Sequence, residues 1–316
     1  MPALKLGINL WSQATDWPLF IDTARRVDRL GYDSLWTWDH LHAIFGDPQQ
    51  DIYEGWVTMG AWAAATERIE LGLMVGANTF RNPGIVAKSV VTLDHVSGGR
   101  AVLGIGGAWF EYEHVGHGID FGTSVGQRLD WLDEAAAACR KLLDGEAVTS
   151  PEGGRYGFQE LAHAPLPLQA HLPIMIGGTG RRKTLRTIAK VGDRWNAFGT
   201  PAEVAELDGV LRAHCADVGR DEAEIERTIN LWLIIRDDPA EARAAWDRLM
   251  AHNRTEVEGT FNASRPLLGT VDQVAARLRE YADVGFGSII VELPAPFDAE
   301  TIERLIGEVK PLVERG

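Results

Sequence analysis

The sequence predicts a (β/α)8 TIM barrel, in which eight parallel strands close into a ring and a helix follows each strand. Eight short apolar runs alternate with segments of helical periodicity along the 316 residues. This alternation implies parallel pairing with right-handed crossovers, and eight such units fit one domain of this length. The alternative is an open doubly wound sheet, which normally splits into two halves. Because no linker divides the chain, we expect one barrel domain over residues 1–316.

The first half of the chain supplies four strand–helix units. Asp16 and Pro18 offer an N-cap and a first-turn proline to the first helix, and Gly31 ends it. The loop 41–53 is long, which is typical of functional loops, and 108–126 is predicted to be a second long loop. The predicted strands are Leu4–Leu10, Ser34–Trp38, Ile69–Val75 and Ala101–Ile105. The first predicted helix ends at Leu30, and the next three are Glu54–Ala65, Gly84–Val96 and Gln127–Leu143.

The second half continues the alternation after an interruption. Residues 145–172 contain several prolines and a Gly-Gly pair, which predicts an insertion with a weak strand at Arg155–Phe158. An irregular loop is expected around residues 253–268. The predicted strands are Pro173–Ile176, Arg194–Phe198, Thr228–Ile235 and Ser288–Leu293; the predicted helices are Arg181–Val191, Pro201–Val218, Pro239–His252, Val271–Val284 and Ala299–Val313.

Composition excludes several classes of partner. A formal net charge of −14 argues against nucleic acid, which binds basic surfaces. Cys139 and Cys215 form no disulfide framework and fit small core positions in a reducing compartment. No apolar run is long enough to span a membrane, and the N-terminus lacks a signal-peptide pattern. We therefore expect a cytoplasmic protein whose partners include neither nucleic acid nor a membrane.

The segment Ser34–His42 contains the first candidate site. It begins as an apolar strand and ends in Asp39 and His40, two ionisable groups at the carboxyl end of a strand. Barrels of this type place their chemistry at that end. The alternative interpretation is an Asp–His pair that holds a loop in place. His40 and His42 also have a His-x-His spacing, but later strand ends supply no further metal ligands beyond Glu292, so no metal site is predicted.

Glycines follow several other strands. Gly106 and Gly107 end the fourth strand, and Gly177-Gly178-Thr179-Gly180 ends the fifth. Glycine at such positions allows a ligand to approach the backbone closely. The second glycine cluster precedes a helix with a basic first turn, which is typical of a phosphate site, although a tight turn before a solvated helix would also explain it. No P-loop and no Gly-x-Gly-x-x-Gly motif is present.

Five motifs follow one another in the first two thirds of the chain. They are Trp-Asp-His at 38–40, Val-Gly-Ala-Asn-Thr-Phe-Arg-Asn-Pro at 75–83, Thr-Leu-Asp-His-Val-Ser-Gly-Gly-Arg at 92–100, Leu-Gly-Ile-Gly-Gly-Ala-Trp-Phe-Glu-Tyr-Glu-His at 103–114 and Ile-Gly-Gly at 176–178. In this order they resemble the bacterial-luciferase-like flavin and deazaflavin oxidoreductases, and specifically their F420-dependent branch. The resemblance covers residues 5–200, and the last third of the chain fits loosely.

The resemblance implies a homodimer that binds coenzyme F420 in the barrel mouth. His40 would exchange a proton with the substrate, a role that suits an imidazole because free histidine titrates near neutrality. The ring would be backed by a bulge with a non-proline cis peptide at Met74-Val75. Some members carry a carboxylate directly after the fourth-strand glycines; this chain has Trp109 near there and Glu113 shortly after, which puts a sugar-phosphate dehydrogenase role in doubt. The implied cofactor-binding residues are Asp39, Met74, Val75, Gly76, Asn78, Gly106, Gly107, Trp109, Gly177, Gly178 and Thr179, and the implied catalytic residues are His40 and Glu113.

Two other functions remain open at this point. One is an FMN-dependent monooxygenase that needs a separate reductase, because FMN-dependent members share the scaffold. The other is a barrel that binds a flavin or another ligand without catalysis, which the presence of Asp39 and His40 disfavours. Trp11, Trp38, Trp109 and the 145–172 insertion would shape an apolar substrate pocket, but the sequence does not indicate the substrate.

Overall fold

The computed structural model describes residues 4–256 and 266–315, and they form a closed barrel. The ring order is β10-β1-β2-β3-β5-β6-β7-β8, and β8 pairs with β10 to close it. Every pairing between these strands is parallel. The predicted (β/α)8 barrel is therefore confirmed. The strands are β1 Lys5–Leu10, β2 Ser34–Thr37, β3 Glu70–Leu73, β4 Gly76–Ala77, β5 Ala101–Gly106, β6 Ile174–Gly177, β7 Arg194–Ala197, β8 Glu226–Ile235, β9 Leu267–Gly269 and β10 Ser288–Leu293.

Helices surround the barrel, and most begin at a capping residue. The Asp16 side chain accepts a hydrogen bond from Leu19 N (2.9 Å), and Thr200 forms a capping box with Glu203. None of the described helices is long and apolar enough to cross a membrane. The helices are α1 Trp17–Leu30, α2 Gly55–Ala65, α3 Pro83–Ser97, α4 Glu111–His117, α5 Val125–Leu143, α6 Thr184–Val191, α7 Pro201–Val218, α8 Pro239–His252, α9 Val271–Asp283, α10 Ala299–Arg304 and α11 Lys310–Arg315.

The strands divide their side chains between two environments. Outward residues such as Ile8, Val291 and Leu293 pack under the helices in the main core. Inward residues fill the barrel interior, where Trp36, Met74, Val102, Met175 and Ile290 form a separate apolar cluster. At the amino-terminal end of the strands, Arg194 pairs with Glu70 (2.8 Å) and Glu226 (3.0 Å). This ion network fills that end, so the site must be sought where the strands' carboxyl ends converge.

Two predictions between β5 and β6 are wrong. Residues 108–126 are not one loop, because they contain α4 and the start of α5; α4 has only seven residues, too few to show periodicity. No strand forms at Arg155–Phe158. The backbone N–H groups of Arg155 and Tyr156 donate to the Glu134 carboxylate (3.0 and 3.2 Å) rather than to a neighbouring strand. The insertion contains one isolated antiparallel bridge, between Val148 and Leu161.

Several predicted boundaries also shift. The run Ile69–Val75 breaks after Leu73, and the chain resumes pairing at β4 beyond a bulge. The helix predicted from Arg181 begins at Thr184. The closing helix contains a π segment over Leu305–Val309. Most of the predicted loop at 253–268 lies outside the described residues. The short β9 begins at Leu267, inside the range predicted as loop, and was not predicted.

Candidate active site

A bulge between β3 and β4 carries Val75 into the barrel mouth. The peptide bond between Met74 and Val75 is cis, as predicted. The Val75 side chain lies against the ends of the two next strands of the ring. A Cβ placed on Gly106 would lie 2.6 Å from Val75 Cγ2, and one placed on Gly177 would lie 2.9 Å from the same atom. Val75, Gly106 and Gly177 therefore form one packed unit, here called the glycine arc.

The glycine arc changes the explanation for these glycines. We predicted that Gly106 and Gly107 are glycine because a ligand approaches the backbone. Gly106 has a reason within the chain itself, since any side chain there would collide with Val75. Gly107 likewise faces Leu129, with 2.8 Å from a built Cβ to Leu129 Cδ2. The Val75 side chain is thus the only one that the three residues of the glycine arc contribute, and it lies between the ends of β5 and β6.

Asp39 is buried beside the bulge and is fully engaged within the chain. Its carboxylate pairs with Arg81 (2.7 Å) and accepts the N–H of Ala77 in β4 (3.1 Å). Arg81 in turn reaches Glu54 at 2.6 Å. Burial raises the pKa of Asp39 above its ordinary value, although the Arg81 guanidinium opposes the rise. Asp39 thus ties the second strand end to the bulge; its predicted contact with a cofactor stays a prediction.

His40 forms a dyad with Glu113. Its Nδ1 lies 2.9 Å from Glu113 Oε1, and the other carboxylate oxygen accepts the N–H of Leu41 at 2.8 Å. The Glu113 side chain is only 1% exposed, whereas that of His40 is 15% exposed. A carboxylate at Nδ1 favours the Nδ1–H tautomer and leaves Nε2 as the basic nitrogen. The two predicted catalytic residues are therefore neighbours, although 73 positions separate them in the chain.

Aromatic side chains surround the His40 ring. Trp38, Trp109 and Phe110 pack edge-on against it, with centroid distances of 6.1, 5.7 and 6.2 Å. Trp109 is 46% exposed and so can meet a ligand. Trp11 is fully buried, stacks on Phe45 at 4.5 Å and contacts Trp38 at 4.9 Å. These rings form one continuous apolar wall around the imidazole.

The predicted phosphate loop lies between β6 and α6. Gly178 adopts φ +127°, which favours glycine. Its N–H donates to Asn196 O (3.0 Å), and its carbonyl accepts from Trp195 Nε1 (2.8 Å). Lys183 and Arg181 point away to carboxylates on other helices, at 2.6 Å from Asp130 and 2.8 Å from Glu206. The loop with Thr179 and the first turn of α6 therefore offers backbone donors rather than a cluster of free cations.

Gly76 begins β4 just beyond the bulge, and Asn78 directly follows that strand. Gly76 pairs with Ile105 of β5, and Asn78 N donates to Gly106 O at 3.1 Å. The predicted cofactor residues from β3 to β6 are thus collected on one side of the mouth. Whether each touches a cofactor stays a prediction.

The opposite side of the mouth contains a buried acid, Glu292. From the sequence it was considered only as a possible metal ligand, without partners. Glu292 of β10 accepts hydrogen bonds from Trp11 Nε1 (2.7 Å) and from the Asn230 side chain. Burial raises the pKa of Glu292 above its ordinary value. The signal in the sequence was a single charge inside the apolar run Ser288–Leu293. Arg81, which pairs with Asp39, was also missed as a site residue because pairing across 42 positions leaves no local pattern.

Comparison with known proteins identifies the family. A family model described as luciferase-like monooxygenase matches residues 7–288. The chain belongs to the luciferase-like monooxygenase family. The family inferred from the five sequence motifs is therefore confirmed.

Relatives within this family include full-length matches. An F420-dependent glucose-6-phosphate dehydrogenase from Kineococcus radiotolerans is 27% identical, covering 98% of this chain and 97% of that protein. A 5,10-methylenetetrahydromethanopterin reductase from Methanolobus tindarius is 26% identical over 90% of this chain and 93% of its own length. An uncharacterized Mycobacterium tuberculosis protein is 34% identical, covering 63% of this chain and 74% of that protein.

Solved structures of similar fold support the same architecture. An F420-dependent secondary alcohol dehydrogenase, in complex with an F420-acetone adduct, superposes with a TM-score of 0.82 at 20% identity, over 98% of this chain and 99% of that one. The monooxygenase RslO1 from Streptomyces bottropensis gives 0.79 at 21% identity, with 99% of both chains covered. At these identities the likeness concerns the fold alone.

Proposed function

We propose that this protein is an F420-dependent oxidoreductase that transfers a hydride between the deazaflavin and a small organic substrate. The observation that carries the proposal is the convergence of the glycine arc and the His40–Glu113 dyad on one barrel mouth. Relatives that match nearly the whole chain bear F420-dependent names, which supports this cofactor over FMN.

The residues present fit a planar cofactor with a phosphate-bearing tail. Val75 offers an apolar convex surface between two strand ends that carry no side chains, which suits the face of a ring. The segment from Thr179 to the start of α6 offers backbone donors, which suits a phosphate, whereas the Gly178 N–H already donates to Asn196 O. Asn78, Gly76, Gly107 and Trp109 would line the intervening path. Bound F420 supplies the hydride chemistry, and the chain supplies position and protons.

His40 is the proposed proton donor and acceptor. Glu113 holds Nδ1, so Nε2 is the nitrogen that can exchange a proton with a substrate atom. Glu113 touches His40 and a backbone N–H, and it acts through them as a positioning residue. The aromatic wall at Trp38 and Trp109 excludes water from the imidazole and favours an apolar part of the substrate.

An anaerobic turnover assay tests this function. Purified protein is mixed with oxidised F420 and a panel of alcohols, and with reduced F420 and a panel of ketones and alkenes, while F420 absorbance is followed. Turnover by the wild type with at least a 100-fold loss in His40→Ala supports the proposal. Turnover with reduced FMN and oxygen instead would identify an FMN-dependent monooxygenase. Cofactor binding that His40→Ala leaves unchanged, without any turnover, would identify a non-catalytic ligand-binding barrel.

We further propose that the protein is a homodimer joined through α2 and α3. The eleven residues of α2 include no charged side chain, and a helix that is apolar all round is normally covered on every side. Yet Val57 of α2 is 74% exposed, and Ile85 and Val96 of α3 are 60% and 50% exposed. These residues border an apolar groove of about 810 Å³. Lys88 in this groove donates to Ala164 O (2.5 Å), which holds its side chain against the 145–172 insertion.

Light scattering after gel filtration tests the dimer. The wild type should have twice the 34.7 kDa mass of the chain, and Val57→Glu or Ile85→Glu should reduce it to one chain mass. Val218→Glu is the matched control, because Val218 is an exposed valine on α7, outside this surface. A monomeric wild type, or dimers that survive both substitutions, would contradict the proposal.

A further inference from the structure

Three polar side chains project into the barrel interior from adjacent strands on the side of the mouth opposite the glycine arc. Asn9 of β1 is in register with Glu292 of β10, and β10 pairs with β8, which carries Asn230. The outward neighbours of each, such as Ile8, Val291 and Leu231, pack under the helices instead. Asn9, Asn230 and Glu292 are here called the polar floor.

The polar floor has unused hydrogen-bonding capacity. Among the described residues, the Oδ1 atoms of Asn9 and Asn230 are buried without a hydrogen-bond partner, whereas the amide nitrogen of Asn9 faces the Glu292 carboxyl. Buried polar atoms in folded proteins are almost always satisfied, so orphan atoms indicate a missing partner. Asn230 itself is partly exposed, whereas Asn9 is fully buried. Asn230 is therefore the more accessible of the two amides to a ligand.

In the part of the chain that the structure describes, the largest influences on the acid of the floor come from uncharged groups. The carboxyl of Glu292 is influenced by Asn230, Trp232, Trp11 and Asn9, all of which are uncharged. A phosphate or carboxylate placed here would lose its hydration without a counter-charge, which is costly. A neutral hydroxyl could instead donate a hydrogen bond to one of the two free amide oxygens.

The walls above the floor connect it to the imidazole. Trp11 donates to Glu292 and packs on Trp38, which in turn packs on His40. Trp232 lies 6.5 Å from Trp11, edge-on. A substrate in contact with His40 thus has an aromatic wall beside it and a neutral polar surface beneath it.

We propose that Asn9, Asn230 and Glu292 form a specificity subsite that binds an uncharged hydroxyl group of the substrate and rejects anionic substrates. This inference rests on the proposed function, because it names the substrate class of the same site.

Titration with a matched pair of probes tests the subsite. Cyclohexanol and cyclohexanecarboxylate are titrated into the F420-loaded protein, and tryptophan fluorescence reports binding because Trp11 bonds to Glu292. Cyclohexanol should bind at least tenfold more tightly than the carboxylate. Asn230→Leu should weaken cyclohexanol binding at least tenfold and leave the F420 affinity within twofold. Thr228→Val is the matched control on the same strand and face, because Thr228 already bonds to Asn196 and should leave both affinities unchanged.

Three further measurements keep the result decisive. Asn230→Ser replaces Asn230→Leu if the latter does not fold, and the same weakening is expected. The titrations are repeated without cofactor, so a wild type that binds cyclohexanol but not F420 would refute the proposed function and leave the subsite standing. A crystal soaked with cyclohexanol should place its oxygen within 3.5 Å of Asn9 or Asn230. Equal binding of both probes, an unaffected Asn230→Leu, or ordered waters that cyclohexanol does not displace from the floor would overturn the inference.

Discussion

Replacing Glu113 by glutamine should reverse the tautomer of His40 and slow turnover. In the native dyad, one carboxylate oxygen faces His40 Nδ1 at 2.9 Å and the other accepts the Leu41 N–H at 2.8 Å. In Glu113→Gln the amide oxygen can keep Leu41, and the NH₂ group then faces Nδ1. Nδ1 must become an acceptor, so the ring proton moves to Nε2, the nitrogen proposed to exchange a proton with the substrate.

The size of the effect follows from the lost interaction. A hydrogen bond to a charged group contributes about 1.5–3 kcal/mol, which corresponds to a 10- to 150-fold loss of kcat when the bond supports only the reacting state. KM should change less than kcat, because Glu113 is buried and does not face the mouth. Steady-state assays with F420 measure the rates, and ¹⁵N NMR of the imidazole reports the tautomer.

Glu111→Gln is the control for this prediction. Glu111 lies on the same short helix and is exposed, so its replacement should leave the rate within twofold. If Glu113→Gln turned over at the wild-type rate, or lost activity with the Nδ1–H tautomer intact, the dyad would not work as described.

Three further predictions concern stability. Glu292 has a raised pKa in the folded state, so the folded protein holds this proton more tightly than the unfolded chain does. The resulting stabilisation of the wild type is complete below the ordinary pKa of 4.5 and is lost as the pH rises towards the folded pKa. Urea unfolding should therefore show the free energy of unfolding of Glu292→Gln increasing relative to that of the wild type over this pH range, by up to about 1.4 kcal/mol per pH unit. Gly106→Ala should cost about 1–3 kcal/mol because its Cβ meets Val75, and Val75→Ala should recover part of that loss in the double variant. Arg81→Met should cost about 3–5 kcal/mol by leaving Asp39 buried and unpaired, with the loss larger at high pH than at low pH because protonation neutralises that carboxylate.

Each of these three predictions has a contradicting result. A stability difference between Glu292→Gln and the wild type that is flat from pH 4 to 9 would mean that this acid keeps its ordinary pKa. Additive effects in the Gly106 and Val75 cycle would mean that the two side chains do not collide; Gly209→Ala, at a helical glycine with open space around it, is the neutral or stabilising control. Restoration of stability by Asp39→Asn in the Arg81→Met background is expected, and its absence would contradict the charge argument.

The barrel could be predicted because its signals are local. Each strand alternates between the helix-facing core and the interior, and most helices begin near a capping residue or proline such as Asp16, Thr200 or Pro201. These patterns repeat eight times, so small errors at boundaries do not change the fold. Short elements lack such repetition, which explains why the seven-residue α4 was missed.

The candidate site was only partly predictable because its causes are distant in the chain. The glycines at 106 and 177 suggested a ligand, but the structure shows that Val75, which precedes them by 31 and 102 positions, is what excludes a side chain there. The pairing of Asp39 with Arg81 and that of Trp11 with Glu292 likewise join separate strand–helix units. Sequence patterns place such residues at strand ends, but they do not say which of them meet.

The most direct test of the central claim is a parallel fluorescence titration of the purified protein with F420 and with FMN. We predict saturable binding of F420 at one molecule per chain, at least 100-fold tighter than FMN, and a loss of that preference in Gly177→Val, whose side chain would displace Val75. Tighter binding of FMN, or F420 binding that Gly177→Val leaves unchanged, would contradict the claim that the glycine arc seats the deazaflavin.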